Sequence, residues 1–306
     1  MWGLVRLTAI AVCAAVFSSA AFAHTLDVHV GNANFTVSVP DNQLKASDAD
    51  LTTYIQHGAT AVITYFGRFP MDHVNINIRA VGGEQVRFGR TTPENGGTIM
   101  MLIGRDATSS TLNDDWTLTH EMTHLAFPGT REDNHDWLAE GMATYVEPVA
   151  RAQAGYLTRE YVWNEFYDDM PKGEPESGDR GLVNTHTWGR TYWGGALFCL
   201  VADVEIRRAT ANRKGLEDAF RAIMNDKGTI EYEWPAQMIF QEGDKATGTH
   251  VLEDLYASWK DKPVEVDLDK LWRELGIRKN GESVSFDDKA PLAGARQAIT
   301  ANAAGK

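Results

Sequence analysis

The chain has 306 residues, 43% of them apolar and 23% charged, enough to build one large folded domain or two modest ones and too apolar for a disordered polymer. A formal net charge of −13 argues against nucleic acid and anionic membrane surfaces as partners. With only Cys13 and Cys199 present, stability has to come from packing rather than cross-links.

Taken in order, the N-terminus reads as an export signal. Arg6 supplies positive charge, Leu7 to Phe17 an apolar core, and Ala21-Phe22-Ala23 an A-x-A cleavage pattern. The apolar run is too short for a membrane span. The expectation is a soluble mature chain beginning at His24, with no membrane span, in the periplasm or outside the cell. That chain keeps only Cys199, set among apolar neighbours and read as a core residue.

Residues 26–30 and 35–39 predict a hairpin around the turn 31–34. Ser47-Asp48-Ala49-Asp50 caps a helix running to about Phe66, which Gly67 and Pro70 end. Alternation over 73–80 predicts a half-buried strand, Gly82-Gly83 a turn, and 86–88 another short strand. Thr98 to Ile103 is an apolar strand, either a plain core strand or an edge that pairs with an extended ligand.

Beyond residue 112 helical patterns dominate. Asn113 or Asp114 caps a helix that stops at Pro128-Gly129, and a polar loop leads into a second helix from Asp136 to about Gln153, where Pro148 is the place to bend. Further helices are expected at 159–167, 191–209, 216–225, 250–260 and 268–275, with a short strand at 284–286. Residues 168–187, rich in Gly, Pro and acid, read as an exposed loop bordering a cleft. The predicted organisation is a signal peptide (1–23), a mixed α/β lobe (24–112), a helical lobe (113–277) and a C-terminal tail (278–306).

The chemistry concentrates in 116–145. His120-Glu121-Met122-Thr123-His124 gives H-E-x-x-H, and Glu140 follows in the first turn of the next helix. Positions i and i+4 of a helix lie about 40° apart around its axis, so both imidazoles can reach one metal ion. Glu121, about 100° around, is placed to bond a water there rather than to ligate. Two histidines, one carboxylate and an open position suit a catalytic Zn2+, with Glu121 as the base that activates water. The alternative is a buried helix over 114–127, with Thr117, Leu118, Met122 and Leu125 inward and two incidental histidines. His135 precedes the Glu140 helix in a polar loop and is not expected to ligate. Asp136 and Thr144 are both candidates to orient a ligating imidazole. His186 and Arg190 are candidates for substrate contact or for plain loop and capping roles.

Trp137-Leu138-Ala139-Glu140-Gly141-Met142-Ala143-Thr144-Tyr145 resembles the W-x-x-E-G-x-A-x-Y signature of the gluzincin metallopeptidases, especially the peptidase-MA-like and glycyl-aminopeptidase branches. The resemblance implies an α+β, thermolysin-like catalytic domain with a small sheet-bearing N-terminal lobe and a mainly helical C-terminal lobe. It also implies Glu140 as the third zinc ligand. Tyr192-Trp193-Gly194-Gly195-Ala196-Leu197 resembles the family's Y-x-x-G-A-L segment, which implies Tyr192 as the hydroxyl that stabilises the oxyanion. Asp203, Arg207 and Leu216-Glu217-Asp218 extend the likeness, which covers about residues 95 to 225. The departures are a connection of only fifteen residues between His124 and Glu140, no acidic amine-binding motif near Glu94-Asn95-Gly96-Gly97, a reduced N-terminal β-region and no expected PDZ module. The function implied is a secreted zinc metallopeptidase acting on peptide or protein substrates. The alternatives are a catalytically silent binding or envelope-assembly protein on the same scaffold, and a hydrolase of a non-peptide amide or an epoxide.

Overall fold

The computed structural model describes residues 22–302, so the expected signal segment lies outside the described residues except for its last two positions. A five-stranded mixed sheet comes first in the chain. Strands β1 (Phe22–Val30) and β2 (Ala33–Pro40) form an antiparallel hairpin, β3 (His73–Val81) runs parallel to β2, β5 (Thr98–Gly104) parallel to β3, and β4 (Val86–Thr92) antiparallel to β5. The spatial order is β1-β2-β3-β5-β4. Period-2 alternation drives this layer: Phe35, Val37, Val39, Val74, Ile76, Ile78, Ile99, Met101 and Ile103 are all buried in one core.

Two expectations change here. The hairpin closes on Gly31-Asn32, with Val30 opposite Ala33, so the turn is two residues shorter than expected. The apolar strand 98–104 lies inside the sheet, and the edge beside it is β4, which is longer than expected and has no fully buried residue. Apolar content and edge position part company for a simple reason. A strand with neighbours on both sides and a covered face is the one that needs apolar side chains.

Helix α1 (Asp48–Phe66) connects the hairpin to β3. Ser47 and Asp50 form a reciprocal capping box, and Gly67 ends the helix in the left-handed conformation. It packs against α3 (Thr117–His124) and α4 (Asp136–Gln153), which carry the candidate site. Residues 109–114 form a separate short helix, α2, so the cap of α3 is neither Asn113 nor Asp114. Asp115 serves instead: its carboxylate accepts from the Leu118 amide at 3.2 Å and the Thr117 hydroxyl at 2.9 Å, and from Tyr54 of α1.

Helices α5 (Arg159–Asp169), α6 (Gly195–Ala209), α7 (Leu216–Asn225), α8 (Ala236–Thr247), α9 (Val251–Trp259) and α10 (Leu268–Leu275) complete the helical part. A turn of π-helix, Gly189–Gly194, leads into α6. Short parallel strands β6 (Gly129–Thr130) and β7 (Glu233–Trp234) tie the loop after α3 to the segment before α8. Residues 277–299 are ordered rather than a tail, as hairpin β8 (Ile277–Asn280) and β9 (Ser283–Phe286) followed by α11 (Ala293–Ile299), with Val284, Ala295 and Ile299 buried. The segment 168–187 is also better anchored than its composition suggests. Met170 and Leu182 are buried, and the amides of Leu182 and Val183 donate to Trp259 and Lys260 carbonyls, each at 3.0 Å. Among the described residues no helix is long and apolar enough to cross a membrane.

Candidate metal centre and cleft

Helix α3 puts His120 and His124 on one face, and the first turn of α4 brings Glu140 against them. His120 Nε2 lies 3.2 Å from Glu140 Oε2, His124 Nε2 lies 3.5 Å from the same oxygen, and the two imidazole nitrogens are 3.2 Å apart. Three lone-pair atoms converge with too few protons to satisfy them pairwise. Ligand atoms at about 2.05 Å from a tetrahedral zinc lie about 3.3 Å from one another, so this donor set fits the ion. His120 is buried and Glu140 about a quarter exposed, leaving one open side. Burial, the largest influence, pulls His120 below its ordinary pKa. For His124 burial is outweighed by hydrogen bonding and charge from Glu140, which raise the imidazole; for Glu140 it is outweighed by hydrogen bonds from His120 and His124 and by their charge, which hold the carboxylate far below its usual range.

Glu121 points from the same helix towards β4. The Thr91 hydroxyl lies 2.7 Å from Glu121 Oε2 and 2.9 Å from the Glu121 carbonyl oxygen, so its one proton is shared between two acceptors. Gly89 lets the strand pass over this carboxylate, since a Cβ there would sit 2.5 Å from Glu121 Cγ. Two residues of the sheet edge thus hold Glu121. A cavity of about 450 Å³ lies over the triad, lined by the edge from Arg87 to Thr91, by Trp116, Phe127, Ala139 and Ile230, and by Tyr192.

Tyr192 is delivered by the π-helical turn. Its ring stacks on His120 with centroids 6.4 Å apart, and its hydroxyl is pushed above the ordinary range by burial first and by the charges of Glu140 and Glu121 next. What allows this approach is backbone contact between α4 and α6. A Cβ on Gly141 would meet Gly195 Cα at 2.2 Å, and one on Gly195 would meet the Trp137 carbonyl at 2.1 Å. The glycines beside Glu140 and after Tyr192 are therefore one packing feature seen from two helices.

The structure thus brings together His120, Glu121, His124, Glu140 and Tyr192, fifty-two residues beyond Glu140. Other candidates lie elsewhere. Arg190 is 2% exposed, pairs with Asp179 at 2.8 Å and donates to the Gly173 carbonyl, so it pins the 168–187 segment instead of facing the cleft. His186 is exposed and does not line the cleft. His135 is buried, with Nε2 2.8 Å from the Tyr256 hydroxyl and Nδ1 2.8 Å from the Asp133 carbonyl. Among the described residues neither Asp136 nor Thr144 hydrogen-bonds either ligand imidazole. Sequence reasoning missed Thr91, Gly89 and Trp116. The only signal for the first two was the V-R-F-G-R-T-T run, in which glycine and arginines obscure the strand period.

The sequence matches no known family model and no curated protein. Solved structures do share the fold. A crystal structure of an aminopeptidase N family protein from Idiomarina loihiensis superposes with a TM-score of 0.64 at 13% identity, over 83% of this chain and 49% of that one. The M1 zinc metallopeptidase from Deinococcus radiodurans gives 0.50 at 15% identity, over 80% and 52%. A mutant of the Deinococcus enzyme bound to a Tyr-Ser-Ala substrate also gives 0.50, at 14% identity over 79% and 52%. The chain therefore spans about half the length of these structures, and what it has in common with them is an α+β fold, an N-terminal sheet followed by helices.

Proposed function

We propose that this chain is a gluzincin-type zinc peptidase, exported from the cytoplasm, that hydrolyses peptide bonds. The observation that carries the reading is the convergence of His120, His124 and Glu140 within 3.5 Å of one another, with Glu121 held alongside by Thr91. A zinc ion bound by those three side chains would supply a positive charge beside the scissile carbonyl and a position open to water.

The chain's own residues do the rest. An extended substrate adds to the open edge of β4 through main-chain hydrogen bonds, which bind without demanding a particular sequence. Glu121 takes a proton from the water whose oxygen attacks the carbonyl carbon. Thr91 keeps its carboxylate aimed during that transfer. The Tyr192 hydroxyl donates to the oxyanion that forms. As the C–N bond breaks, Glu121 passes its proton to the leaving nitrogen, and an amine and a carboxylic acid depart.

A digest of a broad peptide library by the zinc-loaded protein, with free and blocked amino termini, tests the reading. Cleavage that depends on zinc is expected. Bound zinc with no cleavage of any peptide would instead point to a binding protein on the same scaffold.

A further inference from the structure

A second cavity of about 370 Å³ opens off the metal centre, and its wall includes His120 and Tyr192 themselves. It runs along α4 beyond Glu140, between α5 and the π-helical turn, and Trp116, Trp188 and Trp193 contribute to its walls. Trp116 and Trp188 are more than half exposed, and Trp188 stacks on Tyr192 with centroids 5.9 Å apart. Large aromatic faces left open beside a reactive centre are suited to a ligand with an apolar stem.

The charges along this cavity decide what the stem ends in. Glu147 is buried and accepts a hydrogen bond from Arg151 Nη1 at 2.7 Å. Asp169 pairs with Lys172, whose ammonium also lies 5.7 Å from the centre of the Trp193 ring. Glu165 is left over. Its Oε2 is shut off from solvent and accepts no hydrogen bond. Burial first, and the neighbouring charge of Asp169 next, push its carboxyl up to about 7 against the opposing charges of Arg151 and Lys172, neither of which forms an ion pair with it. A half-buried carboxylate with no ion pair, lining a slot walled by tryptophans, is the arrangement that receives an ammonium or guanidinium on an aliphatic chain.

We propose that this cavity selects substrate by taking a lysine or arginine side chain adjacent to the scissile bond, with Glu165 as its counter-charge and Trp116 and Trp188 as its walls. The proposal rests on the peptidase reading for its role in selection, and on the cavity alone for its ligand. Two measurements keep these apart. Tryptophan fluorescence titrated with n-butylguanidinium and with neutral n-butylurea reads the cavity without turnover. The cation should bind at least about tenfold more tightly, and Glu165→Gln should abolish that advantage. Equal binding of the two compounds by the wild-type protein overturns the proposal whatever the protein cleaves. Matched peptides carrying lysine or norleucine on either side of the scissile bond read selection. A lysine-over-norleucine ratio in kcat/KM of tenfold or more, collapsing towards one in Glu165→Gln, supports it. Cleavage with no cationic preference at either position overturns the selective role. Failure to cleave any peptide defeats the peptidase reading and leaves the titration to decide the cavity.

Discussion

Two clusters of buried polar groups lie on either side of α4, and they are compensated in opposite ways. Behind the helix, Asp203 and Arg207 pair at 2.8 Å, Arg207 donates to Glu217 at 2.6 Å, and Asp203 also accepts from the Tyr145 hydroxyl at 2.7 Å and the Leu216 amide at 3.0 Å. Each charged group there finds its partner within the chain, and only Glu217, 17% exposed, reaches solvent. In front of the helix, His120, His124 and Glu140 present acceptors to one another beside an open cavity. The first cluster holds α4, α6 and α7 in place; the second, on the zinc reading proposed above, is completed by a cation from outside. A buried polar group is costly unless paired, so the identity of its missing partner is a readable statement about function.

The contrast can be broken from either side. In front, Glu121→Gln should reduce turnover by about 10²- to 10⁴-fold while zinc stays bound; a steady-state assay on a cleaved peptide checks it, and wild-type turnover would remove Glu121 from the mechanism. Behind, Arg207→Met strands the buried Asp203 and the half-buried Glu217 and should cost about 3 kcal/mol of folding free energy in denaturant titration. The same variant should bind one zinc per folded molecule, because nothing it touches ligates. Tyr192→Phe should lower kcat by about 10²-fold, and an unchanged kcat would detach it from the oxyanion. Thr91→Val should lower kcat by about tenfold with KM and zinc content little changed, and Thr91→Ser should restore it, since the hydroxyl rather than the methyl aims Glu121.

The smallest effect expected is on pH dependence. Burial pushes the Glu147 carboxyl up to about 8 even though Arg151 opposes the shift. The folded chain therefore holds a proton there that the unfolded chain, titrating near 4.5, has released. Stability contributed by this group is fully present below about 4.5 and is lost as pH rises through about 8. Thermal melts across that window should show Tm drifting down for the wild type and a shallower drift for Glu147→Gln. Equal slopes would mean that Glu147 is ionised in the fold.

What the sequence makes legible follows from the range of the interactions involved. The capping box at Ser47, the strand period of 73–80 and the i,i+4 histidines are local patterns, and each appears in the fold, the strand running one residue further. Glu140 could be offered as a third donor because a carboxylate stands in the first turn of the next helical pattern, whereas the place of Tyr192 came through resemblance, because nothing local tells one helix where another crosses it. The Gly141–Gly195 contact that makes the crossing close becomes visible only in three dimensions. The hold of Thr91 on Glu121 depends on which strand ends a sheet, a topological fact to which β4's own composition is nearly blind. Likewise Glu165 looks like one more acid on an amphipathic helix until its partners are counted.

The central claim is that His120, His124 and Glu140 together form a zinc site, and metal analysis of the purified protein tests it most directly. Elemental analysis after dialysis against sub-stoichiometric chelator should find about one zinc per chain in the wild type and in Glu121→Gln, and close to none in Glu140→Ala. A full equivalent retained by Glu140→Ala, or none bound by the wild type after exposure to zinc, would contradict it.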